Sequence, residues 1–238
     1  MNPVHTYALG GPYSVKLTAT NSTGDASSSQ SVFVTNDVLT DDLLQGGAWK
    51  VKVDNLTVFV GGGMGWSNWW SVPVNFFNGG AAGTTDDWSC MTDDEFIFGA
   101  GGVYSYKTNG TARNDGYFGG TNGCIDDAGI AASGNGAAFG TCLNHTYTFT
   151  PGGKKGVKAR PIITLTNAPG FAAFIGFYKG YYGGENTDAT KAPNGGNATN
   201  VYEVMGYAKA GAKEYLFVTT DISDVHDGSR SWSAILER

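Results

Sequence analysis

The chain has 238 residues, 15% of them charged and 37 of them glycine, and carries a net charge of −6. That composition suits one large all-β domain or two smaller ones and argues against a mainly helical protein. The sequence holds no Lys/Arg cluster and no apolar run near 18 residues, which argues against a nucleic-acid partner and against a membrane-spanning helix.

In residues 2–36, Tyr13, Val15 and Leu17 alternate with Ser14, Lys16 and Thr18, the pattern of a half-buried strand. Residues 21–25 have turn chemistry, and 31–35 read as a second strand. Residues 36–47 form a junction, where Leu43 and Leu44 beside Asp41 and Asp42 suit one short helical turn. Residues 48–53 predict a strand with Trp49, Val51 and Val53 inward, and 56–60 are another apolar stretch.

The segment 61–90 holds Trp66, Trp69, Trp70 and Trp88, four of the six tryptophans, among Gly, Ser, Asn, Thr and Asp. No helical period or strict alternation runs through it. A long glycine-rich segment carrying aromatic rings reads as a binding loop. The competing reading is core packing, because tryptophan is highly buried on average. One or two of the four are expected in the core and at least one facing a ligand.

Residues 94–98 and 103–106 flank a glycine turn and predict a β-hairpin. Residues 119–140 read as a long loop. Strands follow at 144–150 and 160–166, joined by a basic turn starting at Pro151. Residues 171–178 are apolar and glycine-bounded, the pattern of a buried strand. Residues 181–200 are a second long polar loop, and strands at 201–207, 214–221 and 231–236 complete the sheet. Strands every ten to fifteen residues with glycine turns argue for a sandwich or a barrel. The residues predict a single all-β domain over 37–238, sandwich or barrel, with no linker inside it.

Cys90, Cys124 and Cys142 allow one disulfide and one spare thiol. None makes a CxxC pair and no His stands at metal-ligand spacing, so a zinc site is not expected. Low charge and an available disulfide favour an exported protein. No signal peptide is recognisable, and Met1 leads into sequence of mid-domain character, which reads as a trimmed chain. Asn-x-Ser/Thr sequons at Asn21, Asn55, Asn109, Asn144 and Asn197 matter only in a eukaryotic secretory pathway.

The string His5-Thr6-Tyr7, Gly11, Tyr13-x-Val15-x-Leu17-Thr18, Asn21 resembles the second half of a PKD domain, an immunoglobulin-like β-sandwich. That resemblance implies a spacer over 1–36 that takes no part in ligand binding. Lacking its first half, the piece must pair with the following domain, associate with another chain or be loosely ordered.

Five further marks are Gly46-Gly47-Ala-Trp49-Lys50, Trp69-Trp70-Ser71, Cys90-x-x-Asp93-Asp94-Glu95-Phe96, Gly123-Cys124, and Ala173-Phe174-Ile175-Gly176 with Lys179, Gly183 and Gly184. Together they resemble a C-terminal domain of Bacteroidota surface glycan-binding proteins (SusE/SusF-like) and laminarinase-type enzymes. The resemblance implies an antiparallel, jelly-roll-like β-sandwich in a cell-surface or extracellular protein, anchored to the outer membrane through a part outside this chain. Other outer-membrane glycan-uptake proteins become candidate partners. The implied ligand is a polysaccharide, a β-glucan such as laminarin. Cys90 and Cys124 carry the family-like contexts and bracket the 94–106 hairpin, so they are the expected disulfide, with Cys142 free.

Sugar rings have apolar faces that stack on aromatic rings and hydroxyls that need polar partners. The stacking candidates are Trp66, Trp69, Trp70, Trp88, Tyr181 and Tyr182. The polar candidates are Asn68, Asp86, Asp87, Glu185 and Asn186. Trp66 and Trp69 are the preferred binding positions, and Trp70, beside Val72 and Val74, is the preferred core residue. The run Asp93-Asp94-Glu95 offers a hydrolytic carboxylate pair, a structural calcium site, or carboxylates that hold backbone at the far end of the tryptophan loop. The third is favoured, and no cofactor is implied. His145 and His226 have no nucleophile motif beside them. The reading is non-catalytic polysaccharide binding. The alternatives are a laminarinase-type glycoside hydrolase and a structural or adhesive domain with no sugar site.

Overall fold

The structure is a computed structural model that describes residues 4–80, 86–152, 160–179 and 190–238. It opens with a hairpin, β1 (Gly11–Asn21) and β2 (Gly24–Val34), followed by a short helix α1 (Asp41–Leu44). Next come β3 (Ala48–Val51), β4 (Val58–Gly61), β5 (Trp70–Ser71) and α2 (Val74–Phe77). A second hairpin, β6 (Glu95–Gly99) and β7 (Val103–Lys107), leads to a small antiparallel pair, β8 (Thr111–Asn114) and β9 (Gly123–Asp126), and to α3 (Asp127–Ala131). The remaining strands are β10 (Cys142–Thr150), β11 (Ile162–Thr166), β12 (Thr199–Ala210), β13 (Lys213–Asp221) and β14 (Ser231–Glu237).

The main sheet is antiparallel and runs β13-β12-β11-β10-β7-β6-β3-β14, and β14 also pairs with β13. Those eight strands therefore close on themselves. The expected sandwich gives way to a barrel-like closed sheet, and the β13–β14 ladder from Tyr215↔Glu237 to Asp221↔Ser231 closes it. Closure removes the open edges that two facing sheets would leave. The all-β class stands.

On its far side β14 is shared. Leu236 and Glu237 pair with β3, while Ser231 to Ala234 pair with β4. β4 and β5 thus leave the barrel as a flap, and residues 62–69 between them carry the tryptophan loop.

Alternation assigns the two faces of this wall. Val58, Val60, Leu216, Val218, Trp232, Ala234 and Leu236 belong to the main core. Phe59, Phe217 and Ile235 point outward and form a second apolar cluster with Phe33 and Met205. Phe33 comes from β2, so the outer cluster is where the N-terminal hairpin docks. Gly206 makes that docking close: a Cβ there would sit 2.4 Å from Phe33 and 2.6 Å from Thr35. Asn36 completes the attachment by bonding both backbone groups of Lys209, at 2.8 and 2.9 Å. Beyond this base both strands are exposed. Of the three fates open to the segment, the structure shows pairing with the following domain.

Residues 171–178, expected as a strand, are irregular, and all but Phe171 are buried. Side chains satisfy their backbone in place of a ladder. Asn167 accepts from the Ala173 N–H at 2.9 Å, and the Tyr202 hydroxyl accepts from the Ile175 N–H at 2.9 Å. Tyr104 donates to the Phe174 carbonyl, and Asn200 to the Ala173 carbonyl at 3.2 Å. Phe174 meets Phe96 and Tyr106, and Phe177 meets Trp88 and Trp232. Partners from β6, β7, β12 and β14 place the segment inside the closed sheet, filling it.

Two smaller expectations also change. Residues 119–140 contain β9 and α3 rather than only loop. Val53 lies past the end of β3 and is 40% exposed, while Trp49 and Val51 are buried as expected. Part of the basic turn after Pro151 lies outside the described residues. Among the described residues no helix is long and apolar enough to cross a membrane.

Candidate functional site

The tryptophan loop is tied down along its length. The Gly65 N–H donates to Ser231 Oγ at 3.1 Å and Thr219 Oγ1 at 3.3 Å, and Ser231 Oγ donates to the Gly63 carbonyl at 2.7 Å. Ser231 and Thr219 are fully buried on β14 and β13. The Gly62 N–H donates to Asn68 Oδ1 at 2.9 Å, which closes the loop on itself. A loop fixed to two barrel strands can hold side chains in one orientation.

Trp66 and Trp69 use that support. A Cβ on Gly63 would lie 3.1–3.3 Å from three adjacent ring atoms of Trp66. A Cβ on Gly62 would lie 3.1–3.2 Å from three ring atoms of Trp69. The missing side chains let each indole settle against backbone, and the rings remain 59% and 54% exposed. Each therefore presents aromatic surface to solvent from a fixed seat.

Trp70 and Trp88 behave differently. Trp70 pairs with Val60 on the core side of the flap and contacts Trp88 and Trp232 at 5.7 and 6.3 Å. It is still 41% exposed, so it sits at the rim of the core and not inside it. Trp88 is 2% exposed. Arg113 lies 4.4 Å over its ring, donates to the Asp87 carbonyl at 2.9 Å and pairs with Asp115 at 3.1 Å. Trp88 was a stacking candidate, and its burial removes it from any ligand surface.

The polar candidates divide in the same way. Asn68 is exposed in the tryptophan loop. Asp87 is occupied by the N–H and hydroxyl of Ser89, at 2.9 and 2.6 Å. Asp86 is half-buried beside it. Tyr181, Tyr182, Glu185 and Asn186 lie outside the described residues. Next to Trp88, Cys90 and Cys124 form a disulfide, and Cys142 is a buried free thiol.

Among the described residues, the carboxylates of Asp94 and Glu95 meet side chains and not the backbone expected of them. Asp94 is buried and accepts from the Tyr106 hydroxyl at 3.1 Å. Burial pushes its carboxyl well above the ordinary range. Glu95 faces Lys107 at 3.2 Å and Lys50 at 3.6 Å. Among the described residues no group of three His, Cys, Asp or Glu side chains converges as a metal site. His145 is a core residue: its Nδ1 accepts from the Ala168 N–H at 3.0 Å, and burial lowers its pKa to about 4.

Of the exposed tryptophans, Trp66 borders a groove of about 520 Å³ lined by Gly65, Trp66, Ser67 and Asn68 on one side and by Ser28, Ser29, Gln30 and Ser31 of β2 on the other. Its size falls within the roughly 300–1,000 Å³ typical of small-molecule sites. No protein-family model matches the chain, and no curated protein matches it significantly.

The sequence reading missed the β2 side of this groove, because a run of serines in a spacer-like strand carries no binding signal. It also missed Thr219 and Ser231. The signal for these was there, in hydroxyls placed within otherwise apolar strands.

Proposed function

We propose that this chain binds a polysaccharide, without cleaving it, on the surface formed by Trp66 and Trp69. One observation carries the reading: two exposed indoles, each backed by a glycine, sit on a loop bonded to two barrel strands. Flat apolar surface with an amide beside it matches a sugar ring, which offers C–H faces and hydroxyls. Asn68 supplies the amide, its Oδ1 held by Gly62 and its Nδ2 available to a hydroxyl.

The motif resemblance to SusE/SusF-like surface proteins of Bacteroidota supports a β-glucan such as laminarin as the ligand. It also supports display at the cell surface beside glycan-uptake partners. Affinity electrophoresis against a polysaccharide panel including laminarin, with a reducing-sugar assay alongside, tests the reading. Retardation without product is expected. Product would favour a glycoside hydrolase, and absence of both would leave a structural domain.

A further inference from the structure

The groove beside Trp66 has two walls from different parts of the chain. One is the tryptophan loop. The other is β2, within the segment whose sequence reads as a spacer. We infer that the N-terminal hairpin is the second wall of the binding groove, gripping a polysaccharide chain against Trp66 through hydroxyls of Ser29 and Ser31. This rests on the polysaccharide reading above and adds the polar half of the site.

Register and docking support it. On β2, Phe33 packs toward the barrel against Phe217. Side chains alternate along a strand, so Ser31 and Ser29 share that barrel-facing side while Gln30 and Ser28 point the other way. Ser31 and Ser29 are opposite Ser14 and Lys16 on β1. The groove face of the hairpin is thus polar, while Val15 and Leu17 stand with Gln30 and Ser28 on the far face. The hairpin's position is fixed by Phe33, Gly206 and Asn36, not by its own tip. A stacking wall facing a hydroxyl-bearing wall is what a pyranose ring presents in reverse: a C–H face on one side and hydroxyls around its edge.

The test compares four variants of the full chain for laminarin affinity, or affinity for whichever panel polysaccharide retards the wild type, with melting temperature measured on each. Trp66→Ala reports on the stacking reading alone. The double variant Ser29→Ala/Ser31→Ala removes two hydroxyls from exposed or half-exposed positions and should weaken binding about 5- to 150-fold with melting unchanged, by the usual net worth of two neutral hydrogen bonds. Ser29→Leu narrows the groove and should weaken binding at least as much. Leu17→Ser, on the far face, should bind as the wild type does.

If Trp66→Ala loses affinity while both serine variants match the wild type, the hairpin is no wall and the inference fails with the stacking reading intact. If no polysaccharide in the panel retards the wild type, the stacking reading fails and the inference with it. Equal losses in Leu17→Ser and the serine variants would also overturn it, because they would reflect general disturbance of the hairpin.

Discussion

Lowering the pH should destabilise this protein through His145. The imidazole is buried, with the rings of Tyr104 and Phe171 at 6.0 and 6.3 Å, and Nδ1 accepts the Ala168 N–H. Nδ1 therefore carries no proton, and protonation would break that bond and place a charge among aromatic rings. The pKa is lowered from 6.5 to about 4 by burial. A lowered folded pKa means that stability is full above pH 6.5 and is lost as pH falls toward 4. At ~1.4 kcal/mol per unit the ceiling is about 3.5 kcal/mol, and water reaching the opened site reduces it to about 2 kcal/mol. For a chain of this size that is a fall in melting temperature of about 4–8 °C. The assay is urea or thermal unfolding from pH 8 to pH 4, on the wild type and on His145→Asn. The asparagine amide oxygen can take the Ala168 N–H but cannot titrate, so groups common to both proteins cancel in the difference. The difference should be constant above pH 6.5 and change by about 2 kcal/mol by pH 4. A flat difference across the whole range would refute the reasoning.

Three other expectations follow from the core. Asp94→Asn should unfold at a higher temperature than the wild type at pH 7, because the raised pKa of Asp94 makes its contribution favourable only at low pH. That advantage should vanish on acidification below the ordinary carboxylate value of 3.8. Trp88→Ala should lose about 3–5 kcal/mol of stability in denaturant unfolding, since it empties the space under Arg113 and beside Phe177. Replacing Cys90 and Cys124 by serine opens a loop of sequence separation 34, and equilibrium unfolding should register a loss of about 4 kcal/mol in the chain-entropy account.

The sequence was most legible where pattern and burial coincide. Alternation located β1 and β3, a glycine turn between two strand-like runs located the β6–β7 hairpin, and an all-β class followed. The closure of the sheet was not legible, because β13 and β14 read alike whether they face one neighbour or two. Residues 171–178 misled for a related reason: apolar content reported burial correctly but said nothing of the backbone. Its partners are Asn167, six residues from Ala173, and Tyr202, Tyr104 and Asn200, which are 27 or more residues from the groups they bond.

In the site, glycine neighbours marked Trp66 and Trp69 as exposed, and the structure gives the cause, since Gly62 and Gly63 are the surfaces against which the rings rest. Trp88 stands among Asp86, Asp87 and Ser89, neighbours just as polar, and is buried. What decides its position is Arg113, 25 residues further on, which sequence spacing could not bring to it.

The most direct test of polysaccharide binding at the tryptophan loop is isothermal titration of laminarin, or of the panel polysaccharide that retards the wild type, into wild type, Trp66→Ala and Trp69→Ala. Melting temperatures are recorded for all three. Each substitution should weaken binding by about 1–3 kcal/mol, by analogy with bases stacked on aromatic side chains, and leave melting nearly unchanged because the rings are more than half exposed. Unaltered affinity in both folded variants would contradict the account.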